Sequence, residues 1–283
     1  MKEYIDSVLN YTGSKYKLLP QLLPNFDYTK KRLIDLFTGG GSIFINSVQN
    51  YDEILINDVI SDLIGIHKSI IQSDDIINKT KDICPSKDDS DAFIQLRKSY
   101  NIEKTPEKLW ALILSCNSNL IRFNQKGEFN QTFGKRGWNL NTDKKVEILT
   151  SYIRNFKDKI KFNSSNFNDV PLLTDSFYYI DPPYGYIKDI NDDIGNKQIS
   201  EAGYNCFYYK DDDINLYNYC KKINDIGSTF MLSGVLEHSG KTTWILDKLI
   251  SDGFNYKLLD FNYEKINKSG KDKETKEVII MNY

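Results

Sequence analysis

Histidine is nearly missing from this chain: His67 and His238 are the only two in 283 residues, too few for a histidine-rich metal site. Both are read as structural or surface residues. Cysteine is scarce as well. Cys84, Cys116, Cys206 and Cys220 fall into no pair at metal-ligand or redox spacing, so free buried thiols and no metal are expected. No apolar run approaches the roughly 20 residues that span a bilayer, and Met1 to Asn10 lacks the basic-then-apolar layout of a signal peptide. A cytoplasmic chain with no membrane partner is the expectation. A net charge of −2 gives the chain as a whole no pull on polyanions. Locally the balance differs: residues 101–160 carry 11 Lys/Arg against 6 Asp/Glu, a surplus that suits either a phosphate-holding face or a solvated helical surface.

What is present, 40% hydrophobic and 27% charged residues, is the composition of a globular chain long enough for one large domain or a core domain with an insert. Its most telling stretch is Asp181-Pro182-Pro183-Tyr184. Phe177-Tyr178-Tyr179-Ile180 before it reads as a buried strand, and two prolines, lacking N–H donors, must end the ladder. Left at the carboxyl end of that strand are an acceptor carboxylate, carbonyls with no ladder partner and a phenol ring. Open α/β sheets bind ligands at that edge. The set suits a flat ring carrying an exocyclic amine, with Asp181 and a carbonyl accepting its two N–H groups and Tyr184 stacking on its face.

Upstream lies a second strand-to-turn unit, Leu33-Ile34-Asp35-Leu36-Phe37-Thr38-Gly39-Gly40-Gly41-Ser42. Three glycines let the backbone approach a ligand, and Ser42 starts a helix with free N–H groups. The turn fits neither the phosphate-loop pattern nor the spaced dinucleotide fingerprint, so a ligand without a pyrophosphate is preferred. About 20 residues on, Glu53 to Asp58 reads as a strand ending in an acid, the spacing at which Rossmann-like folds place a carboxylate on ribose hydroxyls. Before both comes Asn10-Tyr11-Thr12-Gly13-Ser14-Lys15, a polar turn entering a helix-like Tyr16 to Leu23. Here Lys15 is suited to an anion or carboxylate and Tyr11 to stacking on a ring.

From Val59 to about Ile160 the pattern is helical, over Ile60 to Ile71, Ala92 to Tyr100 and Leu109 to Ser115. It is interrupted by Ile121 to Phe133, whose alternation around Lys126-Gly127 reads as a hairpin. That hairpin is basic. Arg122 is suited to a bidentate contact with guanine, Asn124 and Lys126 are candidate DNA-binding residues at the turn, and Lys135 and Arg136 are placed to reach phosphates; an ordinary charged surface hairpin is the alternative. Strands resume at Lys161 to Phe167, Ser176 to Ile180 and Thr229 to Ser233, with a helix at Thr243 to Ser251. Tyr256 to Phe261 and Glu277 to Tyr283 read as an antiparallel edge pair. Lys188 to Lys197 is read as a lid loop and Lys265 to Lys276 as a flexible tip.

In this order the motifs resemble the Dam-type family of DNA adenine-N6 methyltransferases over nearly the whole chain. Tyr11 to Tyr16 is similar to that family's amino-terminal cofactor motif, Asp35 to Ser42 to its glycine turn and Asn57-Asp58 to its second strand end. Arg122 to Asn130 with Phe133-Gly134 looks like its target-recognition hairpin, and Asp181 to Tyr184 like its catalytic tetrad. The resemblance implies an α/β fold, a Rossmann-like S-adenosylmethionine-dependent methyltransferase sheet formed by residues 1–60 and 160–283. Residues 61–159 would be an inserted, mostly helical DNA-recognition domain containing the hairpin. It implies S-adenosylmethionine held by Tyr11, Lys15, Phe37, Gly39, Gly41, Asp58, Asn166, Phe167 and Asp181, and catalysis by Asp181, Pro182 and Tyr184 on a flipped-out adenine. It further implies duplex DNA with a GATC target as partner, a cognate restriction endonuclease on the same site, and a monomer or weak dimer.

Departures are also visible. Asn166 replaces a usual carboxylate near the cofactor's adenine, so altered affinity is expected. Thr132 stands where proline is frequent and Asn117 where some members carry an aromatic wedge, which leaves the outer bases of the target open. Two rivals remain: a methyltransferase acting on RNA, a protein amide or cytosine, and a catalytically impaired DNA-binding paralogue. Cofactor titration separates the second from an enzyme.

Overall fold

The computed structural model describes residues 4–11, 13–124, 126–183, 208, 210–238, 241–260 and 275–283. Tyr184, Cys206, the 188–197 loop and residues 265–274 lie outside these.

Short β-branched and aromatic runs form the strands β1 (Arg32–Asp35), β2 (Glu53–Asn57), β3 (Ile160–Asn163), β4 (Ser176–Ile180), β5 (Thr229–His238), β6 (Lys241–Thr242), β7 (Asn255–Leu259) and β8 (Thr275–Met281). They pair in the order β3-β2-β1-β4-β5-β8-β7, with β6 attached to β5. The first five are mutually parallel, whereas β8 runs antiparallel between β5 and β7. The expected antiparallel pair is therefore present, but only β7 is at the edge.

This order contains one reversal. From β1 the chain steps outward through β2 to β3, then returns to lay β4 on the other side of β1. Connections leave the two neighbours in opposite directions, which opens a crevice at their carboxyl ends. Asp35 and Tyr179 are register partners there, so the Gly39–Gly41 turn and Asp181 emerge side by side.

The sheet is buried on both faces, which requires apolar residues at consecutive positions rather than alternate ones. On one face Leu33, Ile54, Ile56, Phe177, Tyr179, Met231 and Ile279 belong to a single apolar cluster with α2 (Ser42–Ser47), α3 (Ser61–Gln72), α5 (Ser90–Ile102), α6 (Pro106–Ser115) and α7 (Leu140–Ile153). Ile76 of α4 (Asp75–Ile83) joins it. On the other, Ile34, Leu36, Tyr178, Ile180, Phe230, Leu232, Val278 and Ile280 pack on α8 (Lys210–Asp225) and α9 (Trp244–Ser251). Segments 61–153 thus share one core with a sheet face.

Two local expectations change. Tyr16 to Leu23 is not one helix: a 3-10 turn at Lys15–Leu18 leads into a single α turn, Leu19–Leu22, and another 3-10 turn at Leu23–Asn25. Pro20 and Pro24 sit at the first turns of successive pieces, where a missing N–H is tolerated, and each interrupts what precedes it. Strand β3 stops at Asn163, short of Phe167, because Asn166 caps a following 3-10 turn by accepting the Asn168 N–H. Among the described residues no helix is long and apolar enough to cross a membrane.

The expected hairpin contains no regular ladder. Its two arms meet at an isolated bridge, Phe123 with Phe129, and a second bridge joins Phe133 to Cys116. Asn124 Oδ1 accepts the N–H groups of Lys126 and Glu128, so a side chain takes over where strand pairing ends. Ile121, Phe123, Phe129 and Gln131 point inward, and Asn101 of α5 bonds the Phe129 backbone through both its amide atoms.

Candidate functional site

Both glycine turn and Asp-Pro-Pro corner line one cleft of about 1060 Å³, solvent mouth included. The sequence-predicted residues Tyr11, Lys15, Phe37, Gly39, Gly41, Asp58, Asn166, Phe167, Asp181 and Pro182 all reach it. Asp35 and Gly40 of the same glycine-turn motif also line it, and Tyr179 and Tyr208 join them without having been anticipated.

One wall is the glycine turn. Gly41 takes φ +83°, a left-handed conformation that an L side chain rarely adopts, and a Cβ there would lie 2.5 Å from Phe44 Cε1 and 2.8 Å from His67 Cε1. A Cβ on Gly40 would sit 2.6 Å from Tyr11 Cβ, so Tyr11 can lie on the turn only because glycine is beneath it. Asp58 fixes the turn from below: its carboxylate accepts the Gly39 N–H at 3.0 Å and the Ile60 N–H at 3.0 Å. Burial pushes its pKa up to about 6 against the pull of these two bonds. Asn57 ties the residue after β1 to the segment after β3, donating to the carbonyls of Leu36 and Ser165.

His67 is structural, as expected from sequence. Its Nε2 lies 2.9 Å from the Gly39 carbonyl, an acceptor, so Nε2–H donates. Burial lowers its pKa to about 4, more than the Gly39 bond raises it, and the ring stays neutral. Unfolded, this histidine titrates near 6.5, so the unfolded chain binds the extra proton between those values and His67 lowers stability as pH falls through that window. Asp58 and Asp213, with raised pKa values, act in the opposite direction. A His67→Gln variant, which keeps a donor, should isolate the histidine's share. Its stability deficit against the parent should narrow by roughly 2 kcal/mol between about pH 7 and pH 5, read from urea midpoints. A constant deficit across that range would show that the ring is not buried neutral.

The opposite wall is the end of β4. Asp181 Oδ2 accepts from the Lys15 ammonium at 2.8 Å, an ion pair in which Lys15 is 6% and Asp181 18% exposed. Lys15 thus does hold a carboxylate, and it belongs to the strand end itself. Asp181 Oδ1 accepts from Ser233 Oγ at 3.2 Å. Asp35, at the end of β1, is 1% exposed, and its Oδ2 has no hydrogen-bond partner among the described residues. Burial first, then the charge of Asp181, drives its pKa well above the usual range, despite a bond from the Phe44 N–H.

An aromatic floor completes the cleft. Phe37 and Phe167 rings lie 5.5 Å apart, and Tyr208 packs at 6.3 Å from Phe167. Tyr208 donates to Asp213 Oδ1 at 2.9 Å, and burial pushes Asp213 up to about 7. Asp213 is the third of three consecutive aspartates, Asp211 to Asp213, in the first turn of α8. Apolar flanks at Ile214 and Leu216 are the one signal that the third aspartate turns inward.

The basic hairpin residues do not reach this cleft. Arg122 donates from Nε and Nη2 to the side chain and carbonyl of Asn130, at 2.8 and 2.9 Å, and Arg136 donates to Asn119 Oδ1 at 2.7 Å. Asn124 Nδ2 donates to Glu128. Lys126 and Lys135 are exposed.

A buried acid with one oxygen lacking a partner among the described residues, a glycine cradle with no room for a Cβ and an aromatic floor suit the polar, ribosyl and aromatic parts of S-adenosylmethionine. The comparisons agree with that fit. A model of the D12 class N6 adenine-specific DNA methyltransferases matches residues 11–265. The chain is 32% identical over 297 residues to modification methylase StsI of Streptococcus sanguinis, covering 100% of this chain and 43% of that protein. It is 27% identical over 289 residues to type II methyltransferase M.FokI of Planomicrobium okeanokoites, covering 99% and 43%. To type II methyltransferase M.MjaIII of Methanocaldococcus jannaschii it is 25% identical over 302 residues, covering 97% and 98%. The chain therefore spans less than half the length of the first two relatives. Because the family match begins at Tyr11, on one wall of the cleft, and runs through Asp181 on the other, the chain belongs to the D12 class N6 adenine-specific DNA methyltransferases.

Proposed function

We propose that this protein transfers a methyl group from S-adenosylmethionine to N6 of an adenine flipped out of duplex DNA, in the GATC context that its motif resemblance implies. The observation that carries the reading is the shared cleft: the Asp181 carboxylate and the glycine turn face one space. S-adenosylmethionine supplies an electrophilic methyl group on a sulfonium. Everything else falls to the chain.

Asp58 and the Gly39–Gly41 turn would hold the ribosyl and methionine parts, Tyr11 would cover the turn, and Phe37 and Phe167 with Asn166 would take the adenine ring. Asp181 and the Pro182 carbonyl would accept the two N–H groups of the substrate amine. That amine is a poor nucleophile because its lone pair is delocalised into the ring. Two acceptors favour a more tetrahedral nitrogen and aim the lone pair for in-line attack. Flipping costs a few kcal/mol, which stacking on Tyr184 would offset. Residues 61–159 would form the recognition insert, with Lys126, Lys135 and Arg136 on phosphates and Asn124 shaping the turn. The relatives' names, modification methylase and type II methyltransferase, favour a restriction–modification setting with a cognate endonuclease on the same site; a monomeric or weakly dimeric enzyme is part of the same proposal.

Arg122 supports a specific expectation. Asn130 holds its guanidinium from two nitrogens, a preorganised fork for guanine O6 and N7. Base-resolved sequencing of modified DNA from cells expressing the protein should show N6-methyladenine in GATC. In Arg122→Ala, discrimination at the first guanine should fall by roughly 1–3 kcal/mol with cofactor binding intact. Methylation at cytosine, or none with bound cofactor, would sink the reading, and unchanged discrimination would remove Arg122 from it.

A further inference from the structure

Asp181 is gripped from behind by a buried pair of hydroxyls. Ser233 Oγ donates to Asp181 Oδ1 at 3.2 Å, and Tyr179 OH lies 2.8 Å from Ser233 Oγ. Both residues are 1% exposed. Their placement follows from strand geometry. Tyr179 and Asp181 are two residues apart and so project to one face, and the β4–β5 register that pairs Ile180 with Leu232 carries on to set Ser233 beside Asp181. Ser233 is also paired with Ile279 of β8, so it sits on an interior strand held from both sides.

The direction of the chain of bonds is fixed by counting protons. An ionised carboxylate only accepts, so the single Ser233 proton goes to Asp181. Tyr179 must then be the donor to Ser233. Burial, and after it the charge of Asp181, raises the pKa of Tyr179 well above the ordinary phenol value, so the ring keeps the proton it needs to donate. Lys15 contacts the other carboxylate oxygen. The two contacts approach opposite oxygens, which leaves the carboxylate plane with one preferred orientation.

We propose that the Tyr179–Ser233 relay is a positioning device for the reaction: it sets the rotation of the Asp181 carboxylate toward the amine of the extruded base. Tyr179 lines the cleft wall, but both residues are 1% exposed and the role proposed for them is exerted through Asp181. The inference rests on reading Asp181 as the acceptor of the substrate amine, and it adds two residues to the Asp181, Pro182 and Tyr184 set.

The test is single-turnover methylation of an oligonucleotide duplex with labelled S-adenosylmethionine, alongside donor and duplex affinities and thermal unfolding. Ser233→Ala should slow methyl transfer roughly 10- to 100-fold, the worth of one hydrogen bond to a charged group, with both affinities within about twofold of the parent. Ser233→Thr, which restores the hydroxyl, should recover most of the rate. Tyr179→Phe should slow the parent by about fivefold to tenfold yet add nothing in the Ser233→Ala background, because a relay has one output. A parental rate in Ser233→Ala, or full additivity of the two substitutions, would overturn the relay while an inactive Asp181→Asn left the catalytic reading standing. A parental rate in Asp181→Asn would overturn that reading and the relay with it. Tyr179→Phe preserves shape, so it decides the matter even if a change at Ser233 disturbs folding.

Discussion

Asp181→Ala should abolish methylation, by at least about a thousandfold in single turnover, while duplex binding persists. In the proposed mechanism two acceptors hold the N–H groups of the amine, and alanine would leave only the Pro182 carbonyl. The substitution also removes a negative charge from beside the buried Lys15 ammonium, a change that costs roughly 3–5 kcal/mol where a buried pair is broken. Asp181→Asn separates the two effects. It keeps the shape and one acceptor, so unfolding should shift less than in the alanine variant, yet it presents an NH₂ to either Lys15 or Ser233 and should remain slow. Fluorescence anisotropy with a labelled duplex supplies the binding arm. Residual methylation within tenfold of the parent in both variants would remove Asp181 from the chemistry.

Gly41→Ala should cost at least about 3 kcal/mol of stability and weaken S-adenosylmethionine binding by tenfold or more. The left-handed φ alone accounts for roughly 1–2 kcal/mol of this. The rest comes from contact, since the new Cβ would meet Phe44 at 2.5 Å and His67 at 2.8 Å, two buried rings with no room to retreat. Gly227 provides the control. It too has positive φ, at +72°, but nothing lies within 4 Å of its Cβ position, so Gly227→Ala should show the backbone penalty and leave cofactor affinity untouched. Calorimetric titration and urea unfolding of the two variants measure both quantities. Equal losses in the two proteins would mean that the packing beneath the glycine turn does not set its shape.

The cleft was legible where chemistry is written locally. Two prolines must end a strand, three glycines must make a close turn, and an acid closing the next strand has few other uses; all three signals meet in the structure. What the sequence concealed depends on pairing between distant strands. Ser233 reads as one small residue in an apolar run, and only the β4–β5 register sets it beside Asp181. Asp35 belonged to a quoted motif, yet its burial and free oxygen follow from packing against both neighbouring strands. The break within Tyr16 to Leu23 lies at Pro20, which starts a new turn as Pro24 does after it. In the basic hairpin, alternation correctly sorted inward from outward residues, whereas the absence of a ladder came from Asn124, whose side chain competes for backbone donors.

The helices after β2 and the sheet face they cover share a single interior. Anyone exchanging residues 61–153 with those of a relative, to test the recognition role proposed for them, would be transplanting much of that interior as well. Leu33, Ile54, Ile56 and Phe177 would face strangers, and a chimaera should fold well only when these strand residues travel with the graft.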